Sequence, residues 1–395
     1  MPAADTASVV AVTPIQRPAL AAGAVLAALL ASQLWSTAPV MAGVLAVGIG
    51  LGVTLYHAGF GFTAAYRRAI LKKDLSGIVA QAVMLVAASL LFAPMLAAGE
   101  VFGRGVAGAV APVGVDMALG AFAFGIGMQL GGACASGTLF TVGGGSPRML
   151  VVLVFFCGGS WWATLDLPWW RGLPALPPLA LGPAIGWGPA ALLQAALVGL
   201  ILWGLHRRGG RIPRALWWQG RFSGGSLLRG PWPLLLGALA LAGLNAAMLA
   251  LTGAPWGVTW GFTLWGAKTA AALGWDPSTS VFWSEAWTRT ALQQPLLASA
   301  TSVSNVGIVI GAALAAALAG KLRPTWRIAP RPLAAAVLGG LMMGYGARLA
   351  YGCNVGAFFS GVASTSLHGW VWIVMALLGT AIGIRLRPWF RLANP

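Results

Sequence analysis

Apolar positions in this chain fall in long unbroken runs, not in the alternation that marks a half-buried strand. Ten runs stand out, at residues 18–35, 39–56, 76–97, 112–130, 147–165, 187–205, 231–252, 296–320, 332–350 and 367–385. Each is near the ~20 residues that a helix needs to cross the hydrocarbon core. A membrane barrel would instead show alternating segments of about ten residues. Backbone groups in lipid must be satisfied within their own segment, so the runs are predicted to be helices.

Four stretches between the runs are Gly-rich and semi-apolar but too short to cross: Gly59–Leu71, Cys134–Gly143, Trp260–Leu273 and Cys353–Gly361. Interrupted helix at membrane depth persists only where protein or a water-filled cavity covers it. Such segments point to the binding site of a transporter. The predicted fold is an all-α integral membrane protein, with about ten spans and four short re-entrant or broken helices.

Composition agrees with that pattern. Of 395 residues, 58% are hydrophobic and 8% are charged, against about 25% charged in a soluble domain. The formal net charge is +17, but it lies in clusters between apolar runs, which is a topology signal and not a nucleic-acid surface. The clusters are Arg67, Arg68, Lys72 and Lys73; Arg207, Arg208, Arg211, Arg214, Arg221 and Arg229; Lys321, Arg323, Arg327 and Arg331; and Arg385, Arg387 and Arg391. Placing all four in the cytoplasm satisfies the positive-inside rule. Both termini are then cytoplasmic. The first two short stretches enter from the cytoplasmic side and the last two from outside. Residues 1–17 lack the basic and apolar regions of a signal peptide and read as a cytoplasmic tail. The expected division is a first membrane half at 18–205, with its repeat core at about 39–165. A basic cytoplasmic loop follows at 206–230, then a second half at 231–395.

Two segments repeat. Gly125-Ile-Gly-Met-Gln-Leu-Gly-Gly-Ala-Cys134 aligns at a constant offset with Gly344-Tyr-Gly-Ala-Arg-Leu-Ala-Tyr-Gly-Cys353, and Gly61-Phe-Thr63 recurs as Gly261-Phe-Thr263. On the charge-derived topology the span 39–56 runs inward and its counterpart 231–252 outward. The halves are therefore expected to be inverted repeats, with the site near mid-depth. The spans 18–35 and 187–205 are additions ahead of each half.

The stretches Gly125 to Thr138, Tyr351-Gly-Cys353-Asn-Val-Gly-Ala-Phe-Phe-Ser-Gly361 and Ser366-Leu-His-Gly-Trp370 resemble the YeeE/YedE family of bacterial inner-membrane proteins. The likeness runs from about His57 to Arg385. The resemblance implies uptake of thiosulfate as a sulfur source, with Cys134 and Cys353 along the path. It also implies a third path cysteine in some members, at the place where this chain has Gly61. That difference leaves room for a related sulfur or selenium oxyanion.

The residues suit such an anion. Each cysteine follows glycines and opens a short apolar stretch, so each is expected at a helix N-terminus, where unpaired N–H groups face a ligand. Gly132 and Gly352 allow close backbone approach. A neutral thiol can donate to sulfur or oxygen, whereas a thiolate would repel a dianion. Weak repeated contacts favour passage. The candidate substrate-binding residues are Cys134, Cys353, Gly132, Ser136, Gly352, Asn354, Gly61 and Gly261. Ser136 and Asn354 either bond an oxyanion or cap a helix.

Other features have plainer readings. Cys157, without a mirrored partner, reads as packing. His57 and His368 read as structural, and the tryptophans as interfacial anchors and packing. Gln129 and Arg348 stand five residues before the mirrored cysteines as gate-lining candidates. Asp116 is a candidate buried acid, and Asp166 lies near an outer end. No Cys-x-x-Cys, haem, flavin or iron–sulfur spacing occurs, so no cofactor or metal is expected and the chain reads as a non-enzyme. Two alternatives remain. One is a membrane thiol redox protein. The other is a scaffold handing sulfur to a cytoplasmic sulfur-carrier protein. No sodium-site or proton-relay pattern identifies an energy source.

Overall fold

The computed structural model describes residues 14–212, 224–322 and 326–394. Arg214, Arg221 and Arg323 of the basic clusters, and residues 1–13 of the tail, lie outside the described residues.

The first half opens with α1 (Arg17–Thr37) and α2 (Pro39–Ala58), then the short α3 (Phe62–Lys72). Next come α4 (Ser76–Ala98), α5 (Val115–Gly131), the short α6 (Ala135–Gly143) and α7 (Pro147–Arg171). A small α8 (Leu181–Ile185) leads to α9 (Trp187–Arg207), and α10 (Gly224–Arg229) precedes the second half. There α11 (Leu234–Thr252) leads to the short α12 (Thr259–Ala272), to α13 (Val281–Ser284) and α14 (Ala286–Gln293), and to α15 (Ala300–Leu318) and α16 (Pro330–Leu349). A π-helical turn, Asn354–Phe359, then runs into α17 (Ser360–Ala363), and α18 (Leu367–Leu386) completes the bundle.

All ten predicted spans are present as helices long and apolar enough to cross a membrane. Local chemistry sets their ends. Pro39, Pro147 and Pro330 open their helices at the first position, where the missing N–H costs nothing. Gly59, Gly99 and Gly253 close α2, α4 and α11 in left-handed conformation, where a Cβ would be strained. The run at 112–130 becomes helical only at Val115, because Val113–Gly114 pairs with Ala175–Leu176 as a small antiparallel ladder.

The halves are inverted. Along α2 and its counterpart α11, Gly43 meets Leu251, Gly50 meets Leu244, and Gly237 meets Ala58, so the two helices run antiparallel. The counterparts α5 and α16 do the same: Gly120 abuts Gly346, and Gly127 abuts Gly339 and Met343. A Cβ on Gly120 would stand 2.7 Å from the Gly346 carbonyl oxygen, and one on Gly127 would stand 2.8 Å from the Met343 amide nitrogen. Small residues let membrane helices approach this closely. The pairs α5 with α18 and α7 with α16 are parallel and equivalent under the same inversion. The added spans obey it too, since α1 packs on α15 and α9 on α4, the counterpart of α15.

One feature breaks the symmetry. In the first half, residues 73–75 join α3 to α4, whereas 273–299 join α12 to α15 and carry α13 and α14. Buried Trp283 stacks on Trp260, Phe282 meets Trp283 edge-on, and Trp275 meets Trp161. Lys268 Nζ donates to the Leu292 and Gln294 carbonyls at 2.5 and 2.7 Å, tying this aromatic cap to α12. The tryptophans thus divide: Trp35, Trp169, Trp203 and Trp389 are exposed, while Trp256, Trp283 and Trp372 are fully buried packing residues.

Candidate functional site

The four short stretches become short helices, and each cysteine is the residue immediately before one. The backbone turns at Gly132, φ 93°, and Cys134 is the N-cap of α6. On the other side Tyr351 (φ 58°) and Gly352 (φ 149°) turn the chain, and Cys353 is the N-cap of the π-helical turn. Gly352 is therefore a position where another side chain would be strained. Both thiols are free and buried. Cys134 Sγ lies 3.5 Å from Ser136 Oγ, and Cys353 Sγ accepts from the Val355 amide at 3.4 Å.

The site lies deep in the bundle. Gly131 abuts Gly339, halfway along α16, and the Ala350 amide abuts Gly120 within α5. Both cysteines follow these turns by three residues. The two short helices that they open touch each other. Tyr66 of α3 meets the second of them: its hydroxyl accepts from Asn354 Nδ2 at 3.2 Å. Asn354 is fully buried and its Oδ1 has no partner. Neither Ser136 nor Asn354 caps a helix through its side chain.

A buried network fixes the second short helix. Asn245 Oδ1 accepts from the Trp256 amide at 2.7 Å, Asn245 Nδ2 donates to Ser360 Oγ at 3.2 Å, and Ser360 Oγ donates to the Trp256 carbonyl at 2.8 Å. In the first half, Gln129 Nε2 donates to the Thr63 carbonyl at 3.1 Å, joining α5 to α3.

The remaining candidates separate. Gly61 is the N-cap of α3, and a Cβ there would find nothing nearer than the Gly59 carbonyl oxygen at 4.0 Å. Gly261 sits against α15: a Cβ would stand 2.6 Å from Asn305 Nδ2, which donates to the Val258 carbonyl. It is a packing glycine. Arg348 lies with its guanidinium 5.8 Å from the Trp260 ring and 5.5 Å from Phe282, under the aromatic cap. Asp116 pairs with Arg171, and Asp166 accepts from the Tyr345 hydroxyl at 2.9 Å. His57 packs against Trp232, and His368 Nδ1 shares a 2.7 Å hydrogen bond with Ser366 Oγ. Cys157 lies apart, its carbonyl against Gly266 of α12. Tyr66 lies in the short stretch Gly59–Leu71 that the sequence marks out, but it has no counterpart in the mirrored cysteine motifs and stands beside Arg67 and Arg68, so nothing in the letters singles it out.

The two helix N-termini, the two thiols and the Ser136 and Tyr66 hydroxyls offer hydrogen-bond donors without a fixed positive charge. Such a lining can hold an anion briefly and let it go.

The sulphur transport family matches residues 57–382, a range containing both cysteine turns and all four short helices. The chain is similar to the thiosulfate transporter TsuA of Spirochaeta thermophila, at 26% identity over 367 residues, 85% of this chain and 95% of that protein. It is also similar to the probable transporter YedE of Escherichia coli, at 32% identity over 169 residues, 41% of this chain and 40% of that protein. A Salmonella typhimurium YedE matches at 34% identity over 169 residues, again 41% of this chain and 40% of that protein. With the match running through both inverted halves, this chain belongs to the sulphur transport family.

Proposed function

We propose that the protein takes up thiosulfate across the bacterial inner membrane, passing it between two neutral-thiol stations at Cys134 and Cys353. The observation that carries this reading is the mirrored pair of buried, free cysteines, each capping a short helix, with the two helices in contact near mid-depth. Gly132 and Gly352 shape the turns, while Ser136 and Asn354 add a hydroxyl and an amide beside each thiol. Thiosulfate suits such a lining because its terminal sulfur is soft and its oxygens accept from N–H, O–H or S–H donors. The name of the Spirochaeta relative supports the same substrate. Both termini are cytoplasmic on this reading, and the basic loop at 206–230 joins the two halves, 18–205 and 231–395, where it can meet an acidic sulfur-carrier protein.

The test is growth of a sulfur-uptake-deficient bacterium on thiosulfate as sole sulfur source, carrying this chain, Cys134→Ala, Cys353→Ala or the double variant. Rescue by the parent and its loss in each single variant is expected. Rescue that survives removal of both thiols overturns the site. A second reading, a related sulfur or selenium oxyanion, is favoured by the open space at Gly61, which holds no third thiol. Uptake of labelled selenate or sulfite that exceeds thiosulfate uptake would establish it.

A further inference from the structure

The turn that delivers Cys134 to its helix collects three guanidinium groups from three elements. Arg67 of α3 donates through NH1 to Gln129 Oε1 at 3.2 Å. Arg387, in the 3-10 turn Arg387–Phe390 after α18, donates to the Gln129 carbonyl at 2.5 Å. Arg148 of α7 donates to the Leu130 and Gly131 carbonyls at 2.8 and 2.9 Å, and to the Pro332 carbonyl at 3.3 Å. The charge pattern of the sequence assigns Arg67 and Arg387 to loops, yet Arg67 is 9% exposed and Arg387 is 7% exposed, while Arg148, at the start of α7, is half-buried. Arg67 and Arg148 both act electrostatically on Arg387, so the three charges share one neighbourhood.

Among the described residues, no carboxylate balances them: the ion pairs are Arg68 with Asp74 and Arg171 with Asp116. The C-terminus of α5 presents about half a negative charge, which one arginine would more than match. Gathering three like charges, two of them buried, is costly unless a counter-charge joins them. Arg67 is the least committed. A guanidinium carries five N–H donors; one of these in Arg67 has a recorded acceptor, and its Nε is buried without a partner.

The inverted half supplies a contrast. Arg348 stands where Gln129 stands, and Arg171 reaches the Arg348 carbonyl much as Arg387 reaches that of Gln129. There, however, Asp116 neutralises Arg171. The three arginines lie toward the start of α16, through Pro332, while Cys353 follows its end. The two flanks of the cysteine pair therefore differ in charge.

We propose that Arg67, Arg148 and Arg387 form a third anion station, for a doubly charged tetrahedral oxyanion, on the flank of Cys134 remote from Cys353. The identity of the anion as thiosulfate rests on the transport reading, but the binding itself does not. A dianion there supplies the missing counter-charge and takes the free donors of Arg67, in the fork geometry that guanidinium groups offer to oxyanions.

The test is equilibrium binding of radiolabelled thiosulfate to the purified full chain in detergent, in the Cys134→Ala/Cys353→Ala background, with inorganic sulfate as competitor. Binding is expected to persist without the thiols, to weaken as salt rises, and to yield to sulfate. Arg67→Gln is expected to raise Kd at least tenfold, and Arg67→Lys to raise it less. Unchanged Kd in an Arg67→Gln protein that elutes and melts like its parent overturns the proposal. If that variant does not fold, phenylglyoxal labelling of the parent decides. Thiosulfate should slow modification of the Arg67 peptide severalfold, and absence of protection overturns the station. Failed growth rescue by the parent would remove thiosulfate transport alone, leaving the station to be judged by sulfate binding.

Discussion

Gly61 and Gly261 hold matching places in the two repeats, yet a methyl group would meet different fates at them. Gly61 lies in extended backbone (φ −131°, ψ 123°) with open space around it. Gly61→Ala should leave melting in detergent unchanged or raise stability by about 0.4–1 kcal/mol, by restricting the unfolded chain. Gly61→Cys should fit equally well and retain growth on thiosulfate. At Gly261 a Cβ would displace Asn305 from the Val258 carbonyl, so Gly261→Ala should cost about 1–3 kcal/mol through overpacking. The same thermal melts compare the two. A second residue-scale expectation concerns Asp116, whose side chain is 4% exposed and pairs with Arg171. The Arg171 guanidinium also lies 3.8 Å from the centroid of Tyr351, two residues before Cys353. Asp116→Ala should destabilise by about 3 kcal/mol, because it leaves a largely buried charge unpaired. It should also speed maleimide labelling of Cys353 as the turn loosens. Unaltered labelling would show that Arg171 holds the turn without its acid.

At the scale of elements, the α5–α16 crossing is the least forgiving contact. The atom facing Gly127 is a backbone nitrogen, which cannot swing aside as a side-chain tip can. Gly127→Val should therefore cost about 2–3 kcal/mol, seen as a lowered melting temperature and weaker expression. Elements of this kind were legible in the sequence. Ten apolar runs became ten spans, and the glycines that shortened four other stretches mark four short helices, because lipid leaves the backbone few alternatives. The aromatic cap was not legible. Its helices α13 and α14 are shorter than any periodicity can register, and Trp275, Trp283 and Trp287 read as interfacial anchors until their partners across the bundle are seen. Arg67 and Arg387 were hidden for a different reason. A buried arginine and a loop arginine look identical in a string of letters when both lie beside other basic residues. The paired cysteines were the reverse case, since a repeated offset is visible without any coordinates, though the contact of Tyr66 with Asn354 was not.

For the molecule as a whole, an even number of spans has a simple consequence. If each of the ten candidate spans among the described residues crosses, residues 14 and 394 lie on one side of the membrane. Single cysteines introduced at Gln16 and Leu392, in a chain lacking its native thiols, should react with an impermeant maleimide from the same face. Opposite reactivity would mean that one of the ten helices does not cross. The alternating directions seen in the packing, antiparallel for α2 with α11 and parallel for α2 with α15, agree with the parity that the basic clusters predicted.

The antiparallel glycine contact between α5 and α16 also bears on ancestry. Each helix there packs against its own duplicate, as two copies of one short polypeptide would if they inserted in opposite orientations and met across a two-fold axis. Such a contact owes nothing to the peptide bonds that now join the halves. Residues 1–212 and 224–395, produced as two separate polypeptides in one cell, should find each other, co-purify and restore growth on thiosulfate.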